Sequence, residues 1–199
     1  VSKDDPVIEA NGAIDELQAA IGLARAKAPQ GSAMQRLLEE LGRGCWVLMA
    51  EVATPPEHRG SLAGASGVVT KEMVSSLEER IDDVMSSVVL PASFVVPGAN
   101  ELSAALDLAR AIARRAERRM MPLLRTGWLG TQGAQQDHGA QGAGAQQDHG
   151  AQGAQQDQGA QGAHGAQQES PWPLVWINRL SDLLWALARA AEGQGATSQ

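Results

Sequence analysis

FVVPGANELSAALDLARAIARRAERR, residues Phe94 to Arg119, decides how this chain is read. It opens on an apolar, strand-like entry and a Pro-Gly turn, then becomes helical. Leu102, Ala105, Leu106, Ala109, Ile112, Ala113 and Ala116 recur at helical spacing and form one apolar side. Alanine dominates that side, so a neighbouring helix can approach closely. Asn100 stands where an N-cap is needed. Arg110, Arg114 and Arg118 recur every four residues and share a face, with Arg115 flanking it and Glu117 one turn beyond Arg114. A charge run of this kind is most often a solvated surface. Here it follows a turn that carries the only phenylalanine of the chain.

Working outward, four more helical segments can be read. The first runs from Val7 to Lys27, with Ile14, Leu17 and Ile21 at helical spacing; Pro29 and Gly31 end it. Ser32, with Gln35 three residues on, is a capping-box pattern that starts the second. Its stripe includes Leu38, Leu41, Cys45, Leu48 and Val52, and Pro55 and Pro56 stop it. Glu57 to Gly67 is rich in Gly and Ser and reads as loop. The third helix follows Thr70, with Met73, Leu77, Ile81 and Val84 on one face. Val88 to Val96 is apolar and irregular, punctuated by Pro91. The fifth helix carries Ile177, Leu180, Leu184 and Leu187.

Between the arginine helix and the fifth helix the composition changes. Gly133 to Ala143 reads GAQQDHGAQGA, and Gly144 to Ala154 repeats it letter for letter. With no aliphatic residue larger than Ala, such a repeat cannot offset its chain entropy by burial. It is expected to be a disordered loop whose removal spares the fold. Its Asp-His pairs, at His138 and His149, allow a metal tract, but duplication of a unit in a tolerant loop is the preferred reading. The expected organisation is residues 1–126 for helices one to four, 127–170 for the insertion, and 171–199 for the fifth helix and tail. The fold class is all-α, with no convincing strand pair.

Composition excludes several functions. The net charge of −7 argues against general nucleic-acid affinity. No apolar run is long enough to cross a membrane. Cys45 is the single cysteine, on an apolar spacing, which suits a buried structural thiol and a reducing cytoplasm. The N-terminal VSKDD shows no signal peptide. Positive charge concentrated between Arg110 and Arg125 points to a small anion, and an Asn-Arg pair at Asn178 and Arg179 on another helix adds to it. A polyphosphate fits both, because guanidinium forks match phosphate oxygens.

Four stretches carry a resemblance: KDDPVIEANGAIDEL (Lys3 to Leu17), FVVPG (Phe94 to Gly98), ARAIARRAER (Ala109 to Arg118) and INRLSD (Ile177 to Asp182). In order and approximate spacing they resemble the PduO-type ATP:cob(I)alamin adenosyltransferases. The resemblance implies a five-helix bundle with ferritin-like packing, assembled as a homotrimer with sites between subunits. It implies transfer of the adenosyl group of ATP to the cobalt of cob(I)alamin, with Mg2+ accompanying ATP. Implied partners are a reductant that supplies cobalt(I) and an adenosylcobalamin-dependent enzyme that receives the product. Lys3, Arg114, Arg115, Ala116, Glu117, Arg118 and Asn178 fall on ATP-contacting positions. Asp15 and Arg110 fall on a pair that joins across the subunit interface, and Phe94 on the aromatic that covers the lower face of the corrin.

The residues themselves leave plainer readings open. Asp15 could simply favour the early part of a helix, Phe94 could fill core, and Glu117 could pair with Arg114 on the surface. The chain also departs from the family pattern: Asp107 stands where His is usual, Asn11 where an apolar residue is usual, and Ala99 replaces a second glycine. The family carries a glycine-rich Thr-Gly-Asp-Gly-type segment ahead of the position of Lys3, and the sequence begins at Val1. The resemblance implies weaker ATP use without that segment. The alternatives are a catalytically impaired relative that binds corrinoid or nucleotide, and a helical oligomer whose arginine row meets acidic residues such as Asp15.

Overall fold

The computed structural model describes residues 2–64, 67–88, 95–130 and 171–195. Among them every regular element is helical. The α-helices are α1 (Pro6–Lys27), α2 (Ala33–Ala53), α3 (Lys71–Met85), α4 (Glu101–Arg125) and α5 (Trp172–Gly195), and a 3-10 helix spans Pro56–Gly64. Phe94 and the Gly-Ala-Gln repeats lie outside the described residues.

Local chemistry sets the helix starts. Asp5 caps α1 by accepting from the Val7 N–H, and Pro6 occupies a position where its missing N–H costs nothing. Ser32 caps α2 by accepting from the Gln35 N–H. The return half of the expected capping box is shifted: the Gln35 side chain accepts from Gly31 N–H rather than from Ser32. Gly31 sits at φ 71, which swings its amide into reach. Thr70 caps α3, and Asn100 caps α4 in a full capping box with Ser103.

The stretch Glu57 to Gly67, expected as loop, is largely the 3-10 helix. Arg59 explains it: its guanidinium donates to the backbone oxygens of Glu51 at 3.3 Å and Trp128 at 2.5 Å. Trp128 Nε1 in turn donates to Val52 O at 2.8 Å, and the buried Glu51 carboxylate accepts from Val69 N–H at 2.7 Å. Partial burial lowers the Arg59 pKa from its ordinary value, partly offset by the Glu51 charge. These long-range bonds organise a segment whose own composition gives no helical period.

α1 packs against α2 and α4, α4 against α1 and α5, and α3 against α5. Ion pairs give the direction: Glu9 meets Arg119 and Lys27 meets Glu101, so α1 and α4 are antiparallel. Their shared seam is rich in buried alanine, Ala10, Ala13, Ala20 and Ala24 facing a helix with Ala105, Ala109, Ala113 and Ala116. The heavier core comes from Ile14, Leu17, Leu38, Leu48, Leu106, Met120, Ile177 and Leu180, all fully buried. Each contributes roughly 1.5–3 kcal/mol by leaving water. α2 approaches α5 at Gly44, where a Cβ would lie 2.4 Å from the Trp176 ring. Cys45 is buried next to it, and burial pushes its thiol up to about 12, so it is a packing residue and not a nucleophile.

Candidate functional site

The antiparallel register puts the start of α1, with Lys3 just ahead of it, alongside the end of α4 that carries Arg118 and Arg119. α5 begins at the same end, bringing Asn178 against α4. The sequence-expected ATP positions therefore gather at one end of the helical array. Lys3 is exposed there, with no side-chain contact to the arginines among the described residues.

The arginines of α4 divide into two classes. Arg115 pairs with Glu16, and Arg119 pairs with Glu9 at 3.1 Å, so both tie α4 to α1. Arg110, Arg114 and Arg118 have no ion-pair or hydrogen-bond partner among the described residues; Arg110 is half-buried, and Arg114 and Arg118 are exposed. Asp15 is likewise exposed and unpaired among the described residues. No ion pair joins Asp15 to Arg110 within the chain, although their helices pack together. Ala116 is fully buried, so its methyl belongs to the core and lets the arginine-bearing turn lie close to its neighbours.

Glu117 does not pair with Arg114. Its Oε1 accepts from Asn178 Nδ2 at 3.0 Å, linking RRAER to INRLSD directly. Ser181 Oγ donates to the Asn178 carbonyl oxygen at 2.8 Å, steadying that turn of α5. Arg179 turns the other way, to Asp182 at 2.7 Å and Glu78 of α3 at 3.5 Å. So of the Asn-Arg pair, only Asn178 faces α4.

Sequence reasoning missed a second polar system between α4 and α5. Asp107 and Arg189 form a buried ion pair at 2.6 Å, and Arg189 also reaches Glu192 at 2.7 Å. The Arg189 guanidinium lies 5.7 Å from the Trp185 ring centroid. The i, i+3 spacing of Arg189 and Glu192 was readable; the partnership with Asp107 across two helices was not. Among the described residues no cluster of three or more His, Cys, Asp or Glu is arranged to hold a metal. No described helix is long and apolar enough to cross a membrane.

The family model for cobalamin adenosyltransferase matches residues 1–136. The corrinoid adenosyltransferase PduO of Citrobacter freundii is 38% identical over 125 residues, 62% of this chain and 36% of that protein. The PduO of Salmonella typhimurium is 37% identical over 123 residues, 62% of this chain and 35% of that protein. The chain thus spans little more than a third of the length of these two curated relatives. The corrinoid adenosyltransferase MMAB of Homo sapiens is 32% identical over 126 residues, 63% of this chain and 50% of its own. Among solved structures, a variant PduO-type ATP:corrinoid adenosyltransferase from Lactobacillus reuteri complexed with cobalamin and ATP superposes with a TM-score of 0.69. It is 24% identical, and the match covers 98% of this chain and 85% of that one, a likeness of fold.

Proposed function

Because this chain belongs to the cobalamin adenosyltransferase family, of the PduO type, we propose that it transfers the 5′-deoxyadenosyl group of ATP to the cobalt of cob(I)alamin. Cobalt(I) of the substrate gives an electron pair to the ribose C5′. A cobalt–carbon bond forms, the C5′–oxygen bond breaks, and triphosphate leaves with the bonding electrons. The products are adenosylcobalamin and triphosphate.

The observation that carries this reading is the division of the arginines. Arg115 and Arg119 have carboxylate partners, while Arg110, Arg114 and Arg118 have none among the described residues. Guanidiniums on one face without a carboxylate partner in their own subunit, Arg114 and Arg118 above all, suit an anion that brings several charges. Triphosphate is such a leaving group, and fixed cations stabilise its growing charge without reorganisation. Lys3 adds a cation from the turn ahead of α1, Mg2+ arrives with ATP, and the Glu117–Asn178 pair presents polar atoms beside the row. The reaction needs no acid–base pair, since the attacking group is the cobalt of the substrate.

The proposed assembly is a five-helix bundle in a homotrimer, with Asp15 of one subunit meeting Arg110 of the next. Support comes from the outer face of α1, where the exposed Ile8 lies two turns from the unpaired Asp15, and from the exposed Leu108 and Met121 of α4. Phe94 covers the lower corrin face in this reading; that role rests on the resemblance. An apolar ring there excludes the lower axial ligand and eases reduction to cobalt(I). A reductant and an adenosylcobalamin-dependent enzyme are the partners, and a cytoplasmic location suits the lone, buried thiol of Cys45.

The test is direct. Purified protein, Mg-ATP and chemically reduced cobalamin are mixed, and the cob(I)alamin spectrum is followed. Conversion to adenosylcobalamin supports the proposal. Stable cob(I)alamin under conditions where a known family member turns over would sink it.

A further inference from the structure

We propose that Trp185 of α5 is a stacking surface for the base of the nucleotide whose phosphates the arginine row receives. This deepens the adenosyltransferase reading above and rests on its nucleotide half.

Two contacts fix how α4 and α5 lie against each other. Glu117 meets Asn178 at 3.0 Å, and Asp107 meets Arg189 at 2.6 Å. Residue numbers fall along α4 as they rise along α5, so the two helices are antiparallel. Trp185 stands seven residues after Asn178 and four before Arg189. Positions at these spacings share one helical face. Asn178 and Arg189 both reach α4, so Trp185 between them is turned to the same side. The residue of α4 level with it is Arg110, and Arg114 stands one turn nearer Glu117. Around α4 both arginines fall between the directions of Glu117 and Asp107, the two residues that meet α5. An aromatic ring and two guanidiniums that have no partner among the described residues therefore border one groove.

The ring is covered on one side. The Arg189 guanidinium lies over it, 5.7 Å from the centroid. Arg189 is itself held by Asp107 and Glu192, and its side chain is 3% exposed. Trp185 is nonetheless only half-buried. A buried group over one face leaves the opposite face and the edge to supply that exposure. Trp176 on the same helix contrasts with it, at 2% exposed against Gly44.

Charge at one end of a groove and a flat aromatic face at the other match a nucleotide, because every base has a π-face that stacks on such a ring. Arg110 and Arg118 are eight residues apart, about 12 Å at the helical rise. An extended nucleoside triphosphate spans a groove of that length, with its phosphate oxygens on Arg114 and Arg118 and its base on Trp185. A site for a bare polyphosphate has no use for the ring.

The experiment uses the whole chain with Trp185→Leu and Trp185→Phe. Leucine keeps an apolar side chain beside Arg189 and removes stacking; phenylalanine keeps an aromatic face. Read-outs are affinities for Mg-ATP and for inorganic triphosphate by calorimetry, helix content, and the KM for cob(I)alamin. The expected result is Mg-ATP affinity lowered at least about fivefold in Trp185→Leu and within about twofold of wild type in Trp185→Phe, with triphosphate affinity within about twofold in both. Indole emission gives a reading that does not depend on the leucine variant: ATP should change it in wild type and not in Trp185→Phe, and triphosphate in neither. Wild-type ATP affinity in Trp185→Leu, or the same emission response in wild type and Trp185→Phe, would overturn the inference alone. Equal losses toward ATP and triphosphate would do so too, as the mark of a loosened α4–α5 seam. A raised KM for cob(I)alamin with ATP affinity intact gives the ring to the other substrate and also overturns it. A wild-type chain that binds neither ATP nor triphosphate overturns the nucleotide reading, and the inference with it.

Discussion

Asn178 of α5 and Glu117 of α4 meet through a single hydrogen bond, Asn178 Nδ2 to Glu117 Oε1 at 3.0 Å. A carboxylate only accepts, so the amide nitrogen must face it and the amide oxygen is left for another donor. Asn178→Asp puts two carboxylates at that contact. We expect ATP affinity to fall at least about tenfold, since like charges repel at this contact and the added negative charge opposes the triphosphate beside the arginine row. Asn178→Ala should cost less than Asn178→Asp, because it removes the bond without adding repulsion. Calorimetric titration with ATP checks both; equal losses would show that charge at this point is irrelevant.

Among the described residues Arg114 and Arg118 have no partner, whereas Arg115 has Glu16. Hydrogen bonds to charged groups contribute about 1.5–3 kcal/mol, which is roughly 10- to 100-fold in affinity. Arg114→Ala and Arg118→Ala should each lower ATP affinity in that range with an unchanged melting temperature. Arg115→Ala should cost stability by at most about 1 kcal/mol, the worth of an exposed ion pair. A melting point that drops with Arg114→Ala would reveal a structural role for the row.

Asp15 and Arg110 are both unpaired among the described residues. If they meet between subunits, Arg110→Ala and Asp15→Ala should each shift the oligomer toward smaller species and weaken ATP use. Charge reversal of both should restore part of the assembly. Sedimentation velocity reads the first effect, and steady-state kinetics the second. Unchanged size and unchanged kinetics rule the pair out.

The helices were legible because burial there follows a simple period. Leu102, Leu106 and Ala109 or Ile14, Leu17 and Ile21 announce a helix and its inner face together, and the caps Ser32, Thr70 and Asn100 are read from one residue each. The segment Pro56–Gly64 was not legible, because Arg59, Glu51 and Trp128 hold it over long sequence distances. Within the site, the arginine row was visible as a face, but its division was not. Which arginine meets Glu9 or Glu16 depends on how α1 and α4 slide against each other, and no local pattern encodes that. The Asp107–Arg189 pair was hidden for the same reason.

Cys45 gives a prediction about alkaline stability. Its thiol is pushed up to about 12 by burial, against 9.0 in the open chain. Between these values the unfolded chain loses the proton and the folded chain keeps it. The unfolded state is then favoured, so stability is full below pH 9 and declines as pH rises toward 12, by up to about 1.4 kcal/mol per pH unit. Other groups titrate in the same range, so the useful quantity is the difference between wild type and Cys45→Ala. Urea denaturation at pH 8 and pH 10.5 should show that difference shrinking as pH rises.

Gly44 tests the packing most sharply, because two effects oppose each other there. In an open helix position, Gly to Ala gains about 1 kcal/mol of helix propensity. Here the added methyl would lie 2.4 Å from Cζ2 of Trp176, a residue only 2% exposed. Overpacking of this kind costs about 1–3 kcal/mol. The two figures overlap at their edges, so the sign of the result is informative. We expect Gly44→Ala to be destabilising, since the ring is fixed by core on its other sides. Trp176→Phe should lose stability alone, yet the double variant should be more stable than the sum of the single losses, because the smaller ring leaves room for the methyl. Urea denaturation of the four proteins forms a closed cycle. Additive losses would mean that α2 and α5 do not meet at this point, and the placement of α2 on the α5 side of the fold would have to be redrawn.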